Sequence, residues 1–407
     1  MSKEKWRVPK LRFPGFTEDW EQRKFSDLYE KISEKNDLSY SLDKIISVAN
    51  MYYKSDAKVS NEEYLKTYNI FRYGEIAFEG NKSKDFAYGR FVENTIGDGI
   101  ISHVFEVFRP ISKYDIYFWK YYINYEPIMG KVLSRCTKKT TMMTNLVAKD
   151  FLKETVLVPT LAEQKQIGTL LNALDKSITL HQHKLDNLKL KKKALLQKLF
   201  PKNGERYPEL RFPGFTDAWE QRKLNEFLSV SNLKNTENKY NKKNVLSVSG
   251  DYGIVNQIEF QGRSFAGASV SNYGVVEKGD IVYTKSPLKL NPYGIIKTNR
   301  INNGIVSTLY AIYKTKENCD SKFIEHYFNL DSRLNQYLKP LVNKGAKNDM
   351  KVSSENALVG EICFPQITEQ EMIADLLDRL DIYITLHQRK LDHLQLQKKA
   401  LLQQMFV

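Results

Sequence analysis

The sequence predicts an α+β protein in which two tandem α/β domains are joined by two long helices, paired as an antiparallel coiled coil with pseudo-twofold symmetry. Fourteen residues, LRFPGFTEDWEQRK from Leu11 to Lys24, return as LRFPGFTDAWEQRK from Leu210 to Lys223 with two differences. A second repeat relates residues 159–200 to residues 365–406, where about 25 of 42 positions agree. Repeats within one chain mark duplicated structural units. The layout is therefore an opening motif, a variable block and a long helix, written twice.

The opening motif is expected to form a turn followed by a short helix. Its Pro-Gly pair suits the two central positions of a type II turn, and Thr17 and Thr216 can cap the helix that follows. Trp20 and Trp219 allow two interpretations. They form an apolar plug with the neighbouring phenylalanines, or they form a patch on which a partner protein docks.

The second repeat predicts two amphipathic helices of about 40 residues, each roughly 60 Å long. Thr160 with Glu163, and Thr368 with Glu371, fit capping boxes at the two starts. Apolar residues then alternate at intervals of three and four over about four heptads, which predicts a coiled-coil seam. Because neither helix can bury this seam alone, the two are expected to pair with each other. The predicted seam consists of Leu171, Leu174, Ile178, Leu185, Leu188, Leu195, Leu377, Leu380, Ile384, Leu391, Leu394 and Leu401.

Polar residues interrupt the seam at matching places in the two helices. His181 and His387 fall at d positions, and Lys192 and Lys398 fall at a positions. Polar seam residues lower stability and can specify register. A metal site is the alternative for the histidines, but His181 and His183 are two residues apart and do not share a helix face. The three consecutive lysines that end with residue 193 indicate either a phosphate-binding patch or a solvated helix end.

The variable blocks share a skeleton while their loops differ. Matching β-branched and aromatic stretches preceded by glycine predict strands, and two apolar stretches predict matching short helices. This pattern is typical of a scaffold that is kept while a recognition surface changes. The alternative is a plain tandem duplication with drift, which leaves the near-identity of the ends unexplained. The predicted strands are Tyr73–Phe78, Gly99–Phe108, Lys278–Tyr283 and Gly304–Tyr313, and the helices are Ile116–Asn124 and Phe323–Asn329.

Composition restricts the class of protein. The formal charge of +14 and a pI of about 9.3 favour a polyanionic partner such as nucleic acid, although many soluble proteins are basic. The cysteines Cys136, Cys319 and Cys363 are far apart and show neither a disulfide framework nor metal-site spacing. These cysteines are typical of a reducing, cytoplasmic location. No apolar run approaches the roughly 18 residues that span a bilayer, so no membrane partner is expected.

A search for catalytic motifs gives no positive sign of an enzyme. Residues 265–268 followed by Asn291–Tyr293 only faintly resemble an adenine methyltransferase, because the second proline of its motif is missing. Glu237 and Lys239 have a nuclease-like spacing but lie in a polar loop. Walker, HExxH and GxSxG motifs are absent from the sequence. The chain is therefore expected to be non-catalytic, with no cofactor and no metal of its own.

The whole arrangement resembles the DNA-specificity subunit of type I restriction–modification systems. The resemblance rests on TrpGluGlnArgLys opening each unit, on ProxxxGluGln at the start of each long helix, and on KKALLQ near each helix end. It implies a target-recognition domain at residues 1–158, a spacer helix at 159–200 and a linker at 201–209. A second recognition domain would follow at residues 210–364 and a second spacer helix at 365–407.

The resemblance also implies partners and cofactors. Each recognition domain would bind one half of a split, non-palindromic site in double-stranded DNA, and the helices would set the distance between the halves. Two methyltransferase subunits carrying S-adenosylmethionine and two motor–nuclease subunits using ATP and Mg²⁺ would assemble on this frame. The long helices and the segments around Trp20 and Trp219 are the expected docking surfaces.

Polar and basic loops between the predicted strands are the expected DNA contacts. Lysine and arginine supply phosphate contacts, while arginine, asparagine, glutamine and lysine can read base edges. Two other functions stay open: an architectural DNA-binding coiled-coil protein, or a methylase or nuclease complete in one chain. The predicted DNA-binding residues are Asn81, Lys82, Lys84, Tyr88, Arg90, Arg135, Lys138, Lys139, Thr140 and Thr141 in the first block, and Lys285, Ser286, Lys289, Asn291, Tyr293, Lys344, Lys347 and Asn348 in the second.

Overall fold

The structure is a computed structural model that describes residues 8–55, 61–140, 143–285, 288, 290–342 and 352–406. The described residues fall into two compact units. Unit 1 holds the chain up to Gln182 and again from Arg389, and unit 2 holds His183–Gln388. The segment boundaries expected from the sequence keep each long helix whole, whereas these units divide both helices near their midpoints.

The secondary structure of unit 1 agrees with an α+β fold. Its helices are α1 (Ile116–Tyr122), α2 (Glu126–Cys136), α3 (Ala148–Lys153) and the first half of α4 (Leu161–Lys198), with 3₁₀ turns at Phe25–Asp27, Leu42–Lys44 and Glu62–Thr67. Its strands are β1 (Glu21–Lys24), β2 (Tyr29–Ile32), β3 (Ile46–Ser47), β4 (Tyr52–Tyr53), β5 (Asn69–Phe71), β6 (Ile76–Glu79), β7 (Arg90–Glu93), β8 (Gly99–Ile101), β9 (Glu106–Pro110), β10 (Thr137–Lys139), β11 (Thr144–Leu146) and β12 (Thr155–Val158).

Unit 2 repeats this composition of elements. Its helices are the second half of α4, α5 (Gln257–Gln261), α6 (Ser321–Tyr327), α7 (Asp331–Leu338) and the first half of α8 (Ile367–Met405), with 3₁₀ turns at Leu224–Glu226, Lys242–Asn244, Lys339–Leu341 and Asn356–Leu358. Its strands are β13 (Glu220–Lys223), β14 (Leu228–Val230), β15 (Leu246–Ser249), β16 (Gly253–Asn256), β17 (Gly274–Val276), β18 (Ile281–Thr284), β19 (Ile296–Thr298), β20 (Gly304–Val306), β21 (Tyr310–Thr315) and β22 (Glu361–Phe364).

Strand order shows that the two variable blocks have the same fold. Unit 1 contains a four-stranded antiparallel sheet in the order β2-β9-β6-β7, and unit 2 repeats it as β14-β21-β18-β19. In both units the strand that ends the opening motif pairs antiparallel with the strand before the long helix, as β1 with β12 and β13 with β22. The predicted duplication of an α+β fold is therefore confirmed.

Two local predictions in the recognition blocks are wrong. The residues after Thr17 form strand β1 and not a helix, because Glu21–Lys24 bonds along its length to β12. The stretch Gly99–Phe108 is two strands and not one, and so is the matching stretch Gly304–Tyr313, which contains β20 and the start of β21. The chain turns at His103 and Val104, so that β8 pairs with β5 while β9 lies between β2 and β6.

The repeated tryptophans are core residues. Trp20 and Trp219 are each 1% exposed. Trp20 meets Phe118 edge-on at a ring-centroid distance of 6.1 Å, and Trp219 meets Phe200 at 6.2 Å. Burying an aromatic ring of this size stabilises a core strongly. The plug interpretation is correct, and the expected docking role of these two side chains is wrong because a partner cannot reach the indoles.

Buried ion pairs explain why the opening motif is repeated beside the helix start. Arg12 donates two hydrogen bonds to Glu163 at 2.7 and 2.9 Å, and Arg211 donates two to Glu369 at 2.8 Å. The side chains of Glu163 and Glu369 are at most 1% exposed. Since a buried carboxylate without its cation is strongly destabilising, the arginine of one motif and the glutamate of the other must be kept together.

The same ion pairs show that the predicted capping boxes do not form in full. At the start of α4 the Thr160 hydroxyl accepts from Glu163 N at 3.4 Å, but the Glu163 carboxylate binds Arg12 and does not return to the cap. Thr368 lies inside α8, which begins at Ile367, so the box predicted from Thr368 and Glu371 is wrong.

The two long helices run antiparallel within each unit. In unit 1, Lys398 lies 2.6 Å from Asp175, and in unit 2, Lys192 lies 2.5 Å from Asp381. The core of unit 1 takes Leu171 from the start of α4 together with Met405 from the end of α8. The core of unit 2 takes residues from the end of α4 together with residues from the start of α8. All twelve predicted seam residues are buried or half-buried, as the prediction requires. The lysines predicted at a positions are paired with aspartates.

Each recognition domain is joined to the helices by hydrogen-bonded polar residues. In unit 1 the Tyr121 hydroxyl donates to Asp175 at 2.6 Å. In unit 2 the buried His326 ring lies 2.7 Å from Asp378, and Arg300 donates to the same carboxylate at 2.5 Å. Burial alone would raise the pKa of Asp378, but the hydrogen bonds from His326 and Arg300 outweigh it and hold that pKa below its ordinary value.

Candidate nucleic-acid interface

The two predicted contact segments of unit 1 lie side by side. We call the residues between β6 and β7 loop 1 (residues 80–89), and the strands β10 and β11 with their connection the hairpin. Asn81 forms an isolated antiparallel bridge with Met143, and Thr144 N donates to Gly80 O at 2.8 Å. Segments that are more than 50 residues apart in sequence therefore form one surface.

Four lysines on this surface are exposed cations. Lys82, Lys84, Lys138 and Lys139 are all exposed, and the described part of the chain shows no carboxylate paired with any of them. Lys82 Nζ donates to the carbonyl of Thr140 at 2.9 Å, and Lys139 Nζ lies 5.6 Å from the centroid of the Tyr88 ring. Unneutralised lysines on a common surface provide the electrostatic footprint that a phosphate backbone requires.

The two predicted arginines are neutralised within the protein. Arg90 binds Glu79 at 2.7 Å and donates to Ala49 O at 2.9 Å. Arg135 binds both carboxylate oxygens of Glu154. An arginine that is already held by a carboxylate adds little to the attraction of an anion, so these side chains support the surface more than they charge it.

A glycine closes the loop at the same place in both units. Gly89 immediately precedes β7, and Gly294 lies two residues before β19, the corresponding strand of unit 2. Their φ angles are +78° and +95°. A Cβ at Gly294 would lie 1.8 Å from Thr284 O, and one at Gly89 would lie 2.6 Å from Glu79 O. Only glycine fits, so the backbone path of the loop is built into the scaffold.

The corresponding surface of unit 2 is organised by a helix. Asn291 is 8% exposed and its amide donates to Asp331 on α7 at 2.9 Å, while the amide of Asn335 on the same helix donates to Leu290 O at 3.0 Å. Asn291 therefore faces the helix. Tyr293 and Lys285 are half-buried. Thr141, Ser286, Lys289, Lys344, Lys347 and Asn348 lie outside the described residues.

Unit 1 also buries an acidic side chain beneath its sheet. Both carboxylate oxygens of Glu93 on β7 and the Tyr29 hydroxyl are buried, and no described residue forms a hydrogen bond with them. Burial raises the pKa of Glu93 well above its ordinary range, and the charge of Asp115 adds to this while Lys120 opposes it. The fold therefore keeps Glu93 buried although removing its carboxylate from water costs free energy.

Among the residues that the structure describes, no cluster of histidine, cysteine, aspartate or glutamate could hold a metal ion. No helix in the same residues is long and apolar enough to cross a membrane. What the geometry offers is two scaffolds of one design, each presenting its own polar loops. The fold and its surfaces thus define a binding protein with two related but unlike recognition units.

Comparisons with known proteins show which family this chain is similar to. Residues 17–190 match the model of the type I restriction modification DNA specificity domain. The chain is 23% identical over 436 aligned positions to a protein of Methanocaldococcus jannaschii assigned as the type I restriction enzyme MjaX specificity subunit, covering 95% of this chain and 92% of that protein. The resemblance inferred from the opening motifs and long helices is therefore confirmed.

A solved structure with a TM-score above 0.5 supports the same fold. The S subunit of a type I restriction–modification system from M. genitalium aligns with a TM-score of 0.61 at 13% identity, covering 98% of this chain and 99% of that one. The HsdS subunit from Thermoanaerobacter tengcongensis aligns with a TM-score of 0.44 at 16% identity, covering 100% of this chain and 99% of that one. The first likeness confirms the α+β fold over nearly the whole chain.

Proposed function

We propose that this chain is the DNA-specificity subunit of a type I restriction–modification system, in which each unit binds one half of a split, non-palindromic site. One observation carries the proposal. The two units share strand order, buried tryptophan and buried Arg–Glu pair, yet their loops are held by different elements. A common scaffold with unlike loops is what two readers of unlike sequences need.

The exposed lysines of unit 1 are suited to hold the duplex. Lys82, Lys84, Lys138 and Lys139 would contact phosphates, which gives affinity and orientation without sequence information. Asn81, Tyr88 and Thr140 lie among these lysines and would face base edges. In unit 2, Lys285 and Tyr293 are the members of the predicted set that the structure describes at corresponding places. Asn291, which is bonded to α7, would support them.

The long helices would carry the catalytic partners. Leu180 and Leu386 occupy equivalent positions on α4 and α8 and are 52% and 54% exposed, and the equivalent Leu190 and Leu396 are each 67% exposed. A leucine exposed at the same position of both helices fits a docking surface used twice. We assign it to two methyltransferase subunits, which would bind S-adenosylmethionine, while motor–nuclease subunits would bring ATP and Mg²⁺. This chain would supply recognition without catalysis.

The decisive experiment is a methylome. The chain is expressed with its cognate methyltransferase subunit in a host without DNA methylation, and N6-methyladenine is mapped by long-read sequencing. A split motif with a fixed gap, absent when this gene is omitted, is the expected result. If no new motif appears although the partner is folded and binds S-adenosylmethionine, the specificity role is rejected and an architectural DNA-binding role becomes the better explanation.

A further inference from the structure

Loop 1 is fixed by a residue outside it. Thr144 on β11 is 1% exposed, and its hydroxyl lies 3.1 Å from Gly80 O and 2.9 Å from Tyr88 O. Its backbone N–H also donates to Gly80 O. One buried threonine therefore bonds both ends of loop 1, from a position 64 residues beyond Gly80 in the sequence.

The two ends of loop 1 pass close against Thr144. A Cβ on Gly80 would lie 2.2 Å from the Thr144 carbonyl oxygen, and one on Gly89 would lie 3.0 Å from its hydroxyl oxygen. Both ends of the loop thus pass against this residue with no room for a side chain. The close approach fixes where Asn81 and Tyr88, next to these glycines, leave the scaffold.

In unit 2 a different element has the same task. Asn335 is on α7, one turn after Asp331, so the two side chains share a helix face. They bond consecutive loop residues, Asp331 to Asn291 and Asn335 to Leu290. Among the described residues, the side-chain oxygens of Asn291 and Asn335 are buried and have no hydrogen-bond partner. An unpaired buried acceptor is costly, so the fold holds this geometry at the expense of stability.

We propose that Thr144 and Asn335 are positioning residues that determine the sequence preference of unit 1 and unit 2 without touching DNA. The proposal rests on the proposed function of the chain. Each residue acts through the loop that it holds: Thr144 through Asn81 and Tyr88, and Asn335 through the loop residues before β19. In unit 1 the sequence preference then depends on Thr144, which is 1% exposed, and in unit 2 on Asn335, which is half-buried and whose amide is bonded to the loop.

The test replaces each residue beside a matched control. Thr144→Val keeps the shape and removes the hydroxyl, and Thr144→Ser restores a hydroxyl. Thr67→Val removes another unit 1 hydroxyl that donates to a carbonyl, that of Tyr64 at 2.7 Å. For unit 2, Asn335→Ala is compared with Gln336→Ala, an exposed neighbour on α7. Each full-length variant is expressed with the methyltransferase subunit, and methylation is measured at the wild-type motif and at sites with one changed base.

The expected result is a change confined to one half of the motif. Thr144→Val lowers the ratio of methylation at correct to altered bases about tenfold in one half-site, which corresponds to ~1.4 kcal/mol, and Thr144→Ser and Thr67→Val leave it unchanged. Asn335→Ala has the same effect on the other half, and Gln336→Ala has none. The salt dependence of DNA binding stays at the wild-type slope, because the lysines are unaltered.

Each contrary result has a distinct meaning. An unchanged motif with folded Thr144→Val and Asn335→Ala overturns the proposal, and so does an equal loss in both halves, which indicates general destabilisation. If Thr144→Val fails to fold, the comparison of Asn335→Ala with Gln336→Ala decides. Absence of any split motif with the wild-type chain counts against the proposed function itself and is seen before any variant is made.

Discussion

At the scale of single residues, cations of equal charge have different positions in unit 1. Arg90 and Arg135 are bound to carboxylates, while Lys138 and Lys139 are exposed on β10. From the sequence alone all four cations are equal candidates for contact with DNA. Only the positions of Glu79 and Glu154 distinguish the neutralised arginines from the exposed lysines. The lysines are therefore the residues on which affinity for a phosphate backbone should depend.

Replacing both lysines, Lys138→Ala with Lys139→Ala, should weaken DNA binding equally for correct and altered sites. Loss of about two phosphate contacts should lower the slope of log affinity against log salt by about 2. Fluorescence anisotropy at several salt concentrations measures both quantities. Lys153→Ala, whose side chain pairs with Asp150, should leave the slope unchanged. An unaltered slope in the double variant would remove the hairpin from the interface.

Glu93 makes the stability of unit 1 depend on pH. Its pKa is raised in the folded state, so its favourable contribution is complete below the unfolded pKa of about 4.3 and is lost as pH rises towards the folded pKa. Glu93→Gln should remove this loss. The free energy of unfolding of the wild type minus that of the variant should therefore become more negative as the pH rises above about 4, by up to ~1.4 kcal/mol per pH unit.

Urea unfolding at a series of pH values measures this difference. Glu62→Gln, an exposed carboxyl in the same unit, serves as the control and should show a flat difference. A flat difference for Glu93→Gln as well would mean that the group is solvated in the folded chain.

At the scale of elements, local periodicity was sufficient to predict the long helices but not to predict how they begin. The heptad pattern identified the seam because every seam residue repeats at an interval the helix itself imposes. The helix starts differ because Glu163 and Glu369 bind arginines more than 150 residues away. A capping pattern is local and contains no information about such a distant partner.

The exposed leucines of the helices give a prediction at this scale. Leu190→Gln with Leu396→Gln should leave folding and DNA binding intact, because glutamine has a good helix propensity and both side chains are mostly exposed. Binding of both methyltransferase copies should fall at least about tenfold, the equivalent of ~1.4 kcal/mol. Native mass spectrometry of the assembled complex counts the copies. Lys189→Gln, exposed on α4, is the control, and full assembly of the double variant would contradict the docking surface.

At the scale of the whole molecule, the compact units are built from residues that are far apart in the chain. Unit 1 combines the first recognition block with the start of α4 and the end of α8. Both helices pass from one unit to the other, at residues 182–183 and 388–389. A change of helix length at these two places therefore leaves the contacts inside each unit untouched.

Inserting one heptad into both helices at these places should shift the spacing of the half-sites. Seven helical residues add about 10.5 Å, and the rise of about 3.4 Å per base pair converts this to a gap longer by about three base pairs. The methylome of the variant measures the gap, and both half-motifs should be retained. An unchanged gap would reject the helices as the spacer. Insertion into α4 alone should break the pairing and abolish methylation.

The sequence by itself determined the duplication, the long helices with their seam, the α+β class and the family resemblance, because each is written in periodicity or in repeated residues. The tertiary structure decided which residues are core, which are paired and which are exposed. Trp20 is buried, Arg90 is neutralised by Glu79, and Thr144 holds a loop that begins 64 residues earlier. These roles depend on distances between segments that meet only after folding, and no local pattern records them.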